Sequence, residues 1–191
     1  NMELTDGISE ALIKTVMKHS KILKERPDCY ESRAEVMWAS SLSHNDLTGC
    51  GTDGGDWACH QLEHEIGGMF DVAHGAGLAA VWGSWARYVY KARPERFAKF
   101  ARNIFNIQET DDEKAAVAGI EAMENYYQSV GMPTSLCELG IHATEEQIKE
   151  MADKCSFYGK RTVGVMKKIG APEAAEIYRM ANDKSIPLYS R

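Results

Sequence analysis

The sequence has 191 residues, of which 44% are hydrophobic and 26% are charged, and its formal net charge is −6. This composition is typical of a soluble globular domain and excludes a disordered chain. The acidic balance, with no run of Lys and Arg interleaved with aromatic residues, excludes nucleic acid as a partner, and the longest apolar stretch (75–86) is too short for a membrane span.

The predicted location is the cytoplasm. The first ten residues lack the basic and then apolar layout of a signal peptide. The five cysteines are irregularly spaced with no Cys-x-x-Cys pair, which favours reduced, buried thiols over disulfides. Cys59 adjoins His60, but neighbouring helix residues point about 100° apart, so the two side chains are not expected to share one metal ion.

Nearly every segment has the 3.6-residue period of a helix, and none alternates as a strand does. Thr5 and Asp6 are predicted to cap a first helix that fades before Pro27, and a second helix spans roughly 30–48. The inward residues of that second helix are predicted to be Ala34, Met37, Trp38, Ser41 and Leu42. All four tryptophans are predicted to be core residues.

The remaining helices have clear start and stop signals. A third helix runs from about Asp56 to Ile66 and is weakened by two glycines, and a fourth begins at His74. Pro94 begins a fifth, and a longer one covers about 111–130. Thr144 and Gln147 form a capping box for a helix over 145–155, and Pro172 begins the last. The predicted fold is all-α, a single multi-helix bundle domain over residues 1–191.

Three histidines lie within residues 60–74, HQLEHEIGGMFDVAH. His60 and His64 are four residues apart, so on a helix both imidazoles lie on one face, about 6 Å apart along the axis. His74 would be about 21 Å from His60 on a straight helix, which requires a turn of the chain if one ion is shared. Gly67-Gly68 and Asp71 are predicted to supply that turn. Spacing alone favours the His60/His64 pair as metal ligands.

HQLEH also matches His-x-x-Glu-His, the zinc protease motif in which Glu63 would activate water. Such a site needs a third acidic ligand, for which Glu121 and Glu124 are available, and a strand edge to hold a peptide. No credible strand is predicted. A metal-dependent hydrolase is therefore a minor alternative.

Three segments, ESRAEVMWASSLSHNDLTG, GDWACHQLEHEIGGMFDVAHGAGLA and YGKRTVGVMKKIG, resemble the iron-dependent (group III) alcohol dehydrogenases, closest to the butanol dehydrogenase branch. The resemblance extends over essentially the whole chain. It implies the metal-binding helical C-terminal domain of a dehydroquinate synthase-like architecture, with the N-terminal α/β domain that binds NAD(P)H absent from this chain.

The resemblance implies specific roles for the three histidines. His60 and His74 would be metal ligands for Fe²⁺ or Zn²⁺, which departs from the spacing argument. His64 would face substrate and nicotinamide as a proton-relay or orienting residue, and is our candidate catalytic residue. The family's two further ligands, an Asp and a His four residues apart, are expected upstream of residue 1, so this chain would hold two of four ligands.

The function implied by the resemblance is reversible reduction of aldehydes such as butanal to primary alcohols with NADH or NADPH. The expected partners are a small aldehyde or alcohol and, in the intact enzyme, a second copy forming a dimer. The isolated chain is expected to be inactive. A stand-alone helical interaction domain is the alternative from another class. The flanking Met69, Phe70 and Val72 are interpreted either as lining for the substrate pocket or as plain core residues.

Overall fold

The computed structural model describes residues 2–52 and 54–183. Within those residues the chain forms helices joined by turns and longer loops, and the only β pairing is an isolated bridge between Val163 and Ile169. The predicted all-α class is confirmed. The helix bounds in chain order are α1 Glu3–Glu25, α2 Tyr30–Ser43, α3 Ala58–Phe70, α4 His74–Val89, α5 Pro94–Phe105, α6 Asp112–Ser129, α7 Glu145–Cys155 and α8 Ala171–Asn182.

Several helix ends follow the local signals in the sequence. Pro94 is the first residue of α5, and Asp111 caps α6 by accepting a hydrogen bond from the Lys114 backbone N–H. The Thr144 hydroxyl and the Gln147 side chain form both bonds of the predicted capping box of α7. These ends are confirmed because each depends on residues within one turn of the helix terminus.

The apolar core lies among α3 to α8. It is built from small and branched side chains contributed by residues between Ala58 and Ala181. Leu62 of α3 has no exposed surface, and the buried Tyr178 of α8 donates its hydroxyl hydrogen bond to the Leu62 carbonyl at 2.8 Å. This contact joins the last helix to the middle of α3. None of the described helices is long and apolar enough to cross a membrane.

The prediction for the face of α2 was wrong. Met37 is 72% exposed and Trp38 is 63% exposed, whereas the buried residues of α2 are Ser32 and Ala39. The physical reason is that α2 packs mainly on α1 and on the short turn that follows it, so only its small-residue face has a neighbour. Trp57 is also exposed, so the prediction that all four tryptophans are core residues was wrong for two of them.

The first helix begins earlier than predicted, with Met2 rather than Thr5 at its N-terminal boundary. Thr5 instead donates from its hydroxyl to the Cys50 carbonyl at 2.7 Å, and Asp6 forms ion pairs with Arg96 and Lys99 of α5. Both side chains therefore fasten α1 to other parts of the chain, which removes them from capping.

Candidate metal centre

The candidate site lies where α3 ends and α4 begins. Gly67, Gly68 and Asp71 were predicted to turn the chain. The prediction was wrong for the two glycines, because α3 continues through them to Phe70, and it is confirmed for Asp71. The reversal is made by residues 71–73, with Asp71 in the left-handed conformation at φ 52° and ψ 47°. An aspartate tolerates this conformation better than most side chains. The turn returns His74, the first residue of α4, to the side of α3 that carries His60 and His64.

The three histidines meet as the sequence predicted. The ring centroids of His60 and His74 are 5.4 Å apart, and those of His64 and His74 are 5.7 Å apart. Two imidazoles bound to one tetrahedral ion through bonds of ~2.1 Å have ring centroids ~5 Å apart. Both pairs therefore have separations that suit ligands of a single ion.

Glu63 lies against two of the three histidines. Ligand atoms of Glu63, His64 and His74 all lie within 4.8 Å of one another, and His60 is not part of this set. Glu63 is 1% exposed, whereas His64 and His74 are exposed and His60 is half-buried. One side of the cluster is thus open to solvent, and its floor is a buried carboxylate.

Oε2 of Glu63 is hydrogen-bonded to Nδ1 of His74. An ionised carboxylate can only accept, so a neutral imidazole in this bond carries its hydrogen on Nδ1 and has its lone pair on Nε2. This contact was not predicted, because Glu63 was expected only as the water-activating base of a zinc protease motif. The signal available in the sequence was the burial expected for a glutamate followed at helical spacing by Ile66 and Gly67.

The environment of His60 favours the neutral imidazole. Burial lowers the pKa of His60 below its ordinary value, and the charges of His74 and His64 lower it further. Trp57 stands edge-on to this ring, with centroids 4.9 Å apart. Only a neutral imidazole has a lone pair for a metal, so the lowered pKa suits a ligand role.

Two neighbouring groups are unsuited to metal binding. Burial raises the pKa of the Cys59 thiol to about 12, with Glu63 and Asp56 adding to the shift, so Cys59 stays protonated. Asp56 accepts backbone hydrogen bonds at 2.9 Å from Ala58, Val165 and Met166, which fixes both of its oxygens away from the histidines. The expectation that Cys59 does not share an ion with His60 agrees with the raised pKa of its thiol.

Glu124 and the residues that flank the α3–α4 turn also lie outside the cluster. Glu124 is 2% exposed on its side chain and forms a two-bond ion pair with Arg87, at 2.8 and 2.7 Å. That pairing occupies both of its carboxylate oxygens. The flanking Met69, Phe70 and Val72 are partly buried and pack against the apolar core.

Comparison with known proteins gives a consistent result. The model of the Fe-containing alcohol dehydrogenase family, C-terminal part, matches residues 1–181. The NADH-dependent butanol dehydrogenase A of Clostridium acetobutylicum is 35% identical over 176 residues, which is 91% of this chain and 44% of that protein. The NADPH-dependent aldehyde reductase YqhD of Escherichia coli is 29% identical over 180 residues, or 94% of this chain and 46% of that protein.

The fold comparison agrees with the sequence comparison. The crystal structure of NADH-dependent butanol dehydrogenase A from Thermotoga maritima superposes with a TM-score of 0.89 at 35% identity, covering 96% of this chain and 47% of that one. The chain thus spans about half the length of the curated relatives it matches. The helices, the three-histidine cluster and these likenesses together place the chain in the Fe-containing alcohol dehydrogenase family, within its helical C-terminal part.

Proposed function

We propose that this chain is the metal-holding helical part of an alcohol dehydrogenase that interconverts small aldehydes, such as butanal, and primary alcohols with NADH or NADPH. The observation that carries the proposal is the meeting of three imidazoles at the α3–α4 turn, with ring separations of 5.4 and 5.7 Å. The names of the butanol dehydrogenase and aldehyde reductase relatives support the substrate class. The nucleotide would bind mainly to an N-terminal domain, and the working enzyme would be a cytoplasmic dimer.

His60 and His74 are the proposed ligands of an Fe²⁺ or Zn²⁺ ion. When bound, such an ion supplies Lewis-acid polarisation of a carbonyl oxygen while the nicotinamide supplies hydride. His60 contributes an imidazole kept neutral by burial, and His74 contributes its Nε2 atom. Two imidazoles alone hold a divalent ion weakly, so the isolated chain is proposed to need further ligands for activity.

His64 is the proposed proton donor to the alkoxide oxygen formed by aldehyde reduction. Its ring is 5.7 Å from that of His74 and is exposed on the open side of the cluster. An imidazole exchanges protons near neutral pH, which suits a relay between the alcohol oxygen and solvent. The direction reverses for alcohol oxidation.

The test is Zn²⁺ binding to the 191-residue chain, measured by calorimetry. His60→Ala and His74→Ala should each weaken binding by about tenfold or more, since each removes one of few ligands. His142→Ala is the matched control, because His142 lies beside Cys137, at the start of the segment that leads into α7. Equal affinities in all four proteins would overturn the proposed site.

The second measurement is NAD(P)H-dependent reduction of butanal by the purified chain. We expect no turnover, because the ligand set is incomplete and no nucleotide domain is expected in these residues. Turnover by the isolated chain that disappears with His74→Ala would contradict the proposed inactivity while supporting the site. Turnover that survives this substitution would contradict both.

A further inference from the structure

Glu63 is a buried carboxylate for which the proposed chemistry has no direct use. It lies on α3 with 1% of its surface exposed, one residue before His64. Burying a carboxylate is costly unless hydrogen bonds or charges compensate. Among residues 2–52 and 54–183, its one side-chain hydrogen-bond partner is Nδ1 of His74, which lies on a different helix eleven residues later. The hydrogen bond that offsets the burial of the Glu63 carboxylate therefore depends on where the imidazole of His74 lies.

The other oxygen of Glu63 lies in a space made by glycines. A Cβ atom added at Gly77 of α4 would come within 2.5 Å of Glu63 Oε1, and one added at Gly67 within 3.1 Å. Gly77 is in the interior of α4, where glycine is less favourable than alanine. A Cβ at Gly75 or Gly68, also in these helices, would meet nothing within 4 Å. The missing side chain at Gly77 therefore leaves room for the Glu63 carboxylate, which is not true of Gly68 or Gly75.

We propose that Glu63 is the positioning residue of the metal centre: its carboxylate holds Nδ1–H of His74, which fixes the ring and directs Nε2 toward the ion. The proposal rests on the proposed function for the identity of the ion site. Carboxylates that fix the tautomer of a ligating histidine raise the basicity of the ligand, and their loss costs about 10–100-fold in metal affinity. Gly67 and Gly77 are the small residues that let α3 and α4 approach closely enough for this bond.

A direct ligand role for Glu63 is the competing interpretation, since its oxygen is within 4.8 Å of ligand atoms on His64 and His74. Two observations favour positioning. The Oε2 atom is already engaged by Nδ1 of His74, and the Oε1 atom faces the glycine backbone rather than the open side of the cluster. The experiment must therefore separate positioning from ligation.

The experiment measures the tautomer of His74 in the ¹⁵N-labelled 191-residue chain without metal, by long-range ¹H–¹⁵N correlation at about pH 8, where an ordinary imidazole is neutral. In the natural chain we expect the hydrogen on Nδ1 of His74. Glu63→Leu removes the acceptor and should shift His74 toward the Nε2–H form. Glu63→Gln keeps an amide oxygen that can accept, so it should give an intermediate result. Glu65→Gln, on the same helix, is the control and should leave the tautomer unchanged.

A glycine pair tests the same point without touching the carboxylate. Gly77→Ala should displace Glu63 and shift the tautomer in the direction of Glu63→Leu, whereas Gly75→Ala should not. Helical circular dichroism of each variant reports whether the fold is kept. If Gly77→Ala unfolds the chain, the Glu63 series alone decides the question, and if Glu63→Leu unfolds it, Glu63→Gln and the glycine pair decide.

Zn²⁺ titration of the same proteins completes the test. A loss of about 10–100-fold in affinity for Glu63→Leu, together with the tautomer shift, supports positioning. An Nε2–H tautomer in the natural chain, or a loss of Zn²⁺ affinity with no tautomer shift, would overturn it, the latter in favour of direct ligation. Failure of the proposed function looks different: affinity would then be independent of His60 and His74, whatever the tautomer of His74.

Discussion

The α1–α2 pair and the body formed by α3 to α8 are held in place by different forces. The apolar core draws on residues from Ala58 onward, and α1 and α2 bury only a few small or polar side chains each. The pair is attached instead through polar contacts, chiefly Asp6 with Arg96 and Lys99, and Ser20 with the Tyr126 hydroxyl. Acid should therefore loosen the helix pair under conditions that leave the body folded.

The largest expected contrast compares the same substitution in the two regions. Leu62 of α3 is fully buried, so Leu62→Ala should lower the free energy of unfolding by about 2–5 kcal/mol. Leu4 of α1 is 77% exposed, and Leu4→Ala should change it by less than about 0.5 kcal/mol. Urea unfolding followed by circular dichroism measures both. Similar losses for the two variants would mean that α1 shares the apolar core.

A second contrast uses tryptophan. Trp85 is 7% exposed and Trp38 is 63% exposed. Trp85→Ala should cost about 3–5 kcal/mol, whereas Trp38→Ala should fall within about 0.5 kcal/mol. Thermal unfolding of the two variants gives the comparison. A large loss for Trp38→Ala would indicate that this side chain is covered in solution by a contact beyond those in the chain itself.

The smallest expected effect concerns pH and the attachment of α1. The hydrogen bond from Arg96 holds the pKa of Asp6 well below its ordinary value, and Lys99 lowers it further. A lowered pKa means that the stabilisation is complete above the ordinary carboxyl pKa of about 4 and is lost as pH falls below it. The pair is partly exposed, so we expect about 1 kcal/mol.

Amide hydrogen exchange across α1 measures this effect. In the natural chain, protection of α1 should decrease as pH falls below about 4 after correction for intrinsic exchange rates, whereas α3 to α8 should keep theirs. Asp6→Asn should show reduced protection of α1 near neutral pH, and its difference from the natural chain should shrink as pH falls below about 4. Glu3→Gln, in the same turn, is the control. If Asp6→Asn leaves the protection of α1 unchanged, contacts other than the Asp6 ion pairs dominate the attachment of α1.

Features that depend on neighbouring residues in the chain could be predicted from the sequence, and features that depend on packing between helices could not. The ends of α5, α6 and α7 depend on residues within one turn, and those predictions were correct. The inward face of α2 depends on which neighbour it meets, and periodicity cannot supply a neighbour. Met37 and Trp38 were therefore assigned to a core that α2 does not reach.

The predictions for the candidate site were also correct in part. His60, His64 and His74 meet through the turn that their spacing required; Asp71 contributes to that turn as predicted, whereas Gly67 and Gly68 do not. Gly67 and Gly77 have their effect across the α3–α4 interface, beside Glu63. A glycine that leaves room for a neighbouring helix and a glycine that reverses the chain look alike in the sequence. Only the packed structure distinguishes them.

The three-residue connector at 71–73 sets the rotational phase of α4 relative to α3. Each residue of a helix advances by about 100°, so inserting or deleting one residue here would rotate His74 by more than a quarter turn and carry it away from Glu63. Two side chains of the connector are constrained, because Asp71 takes the left-handed conformation and Val72 packs against the apolar core. The length of the connector is constrained as well, since a change of length would separate the histidines without altering any of them.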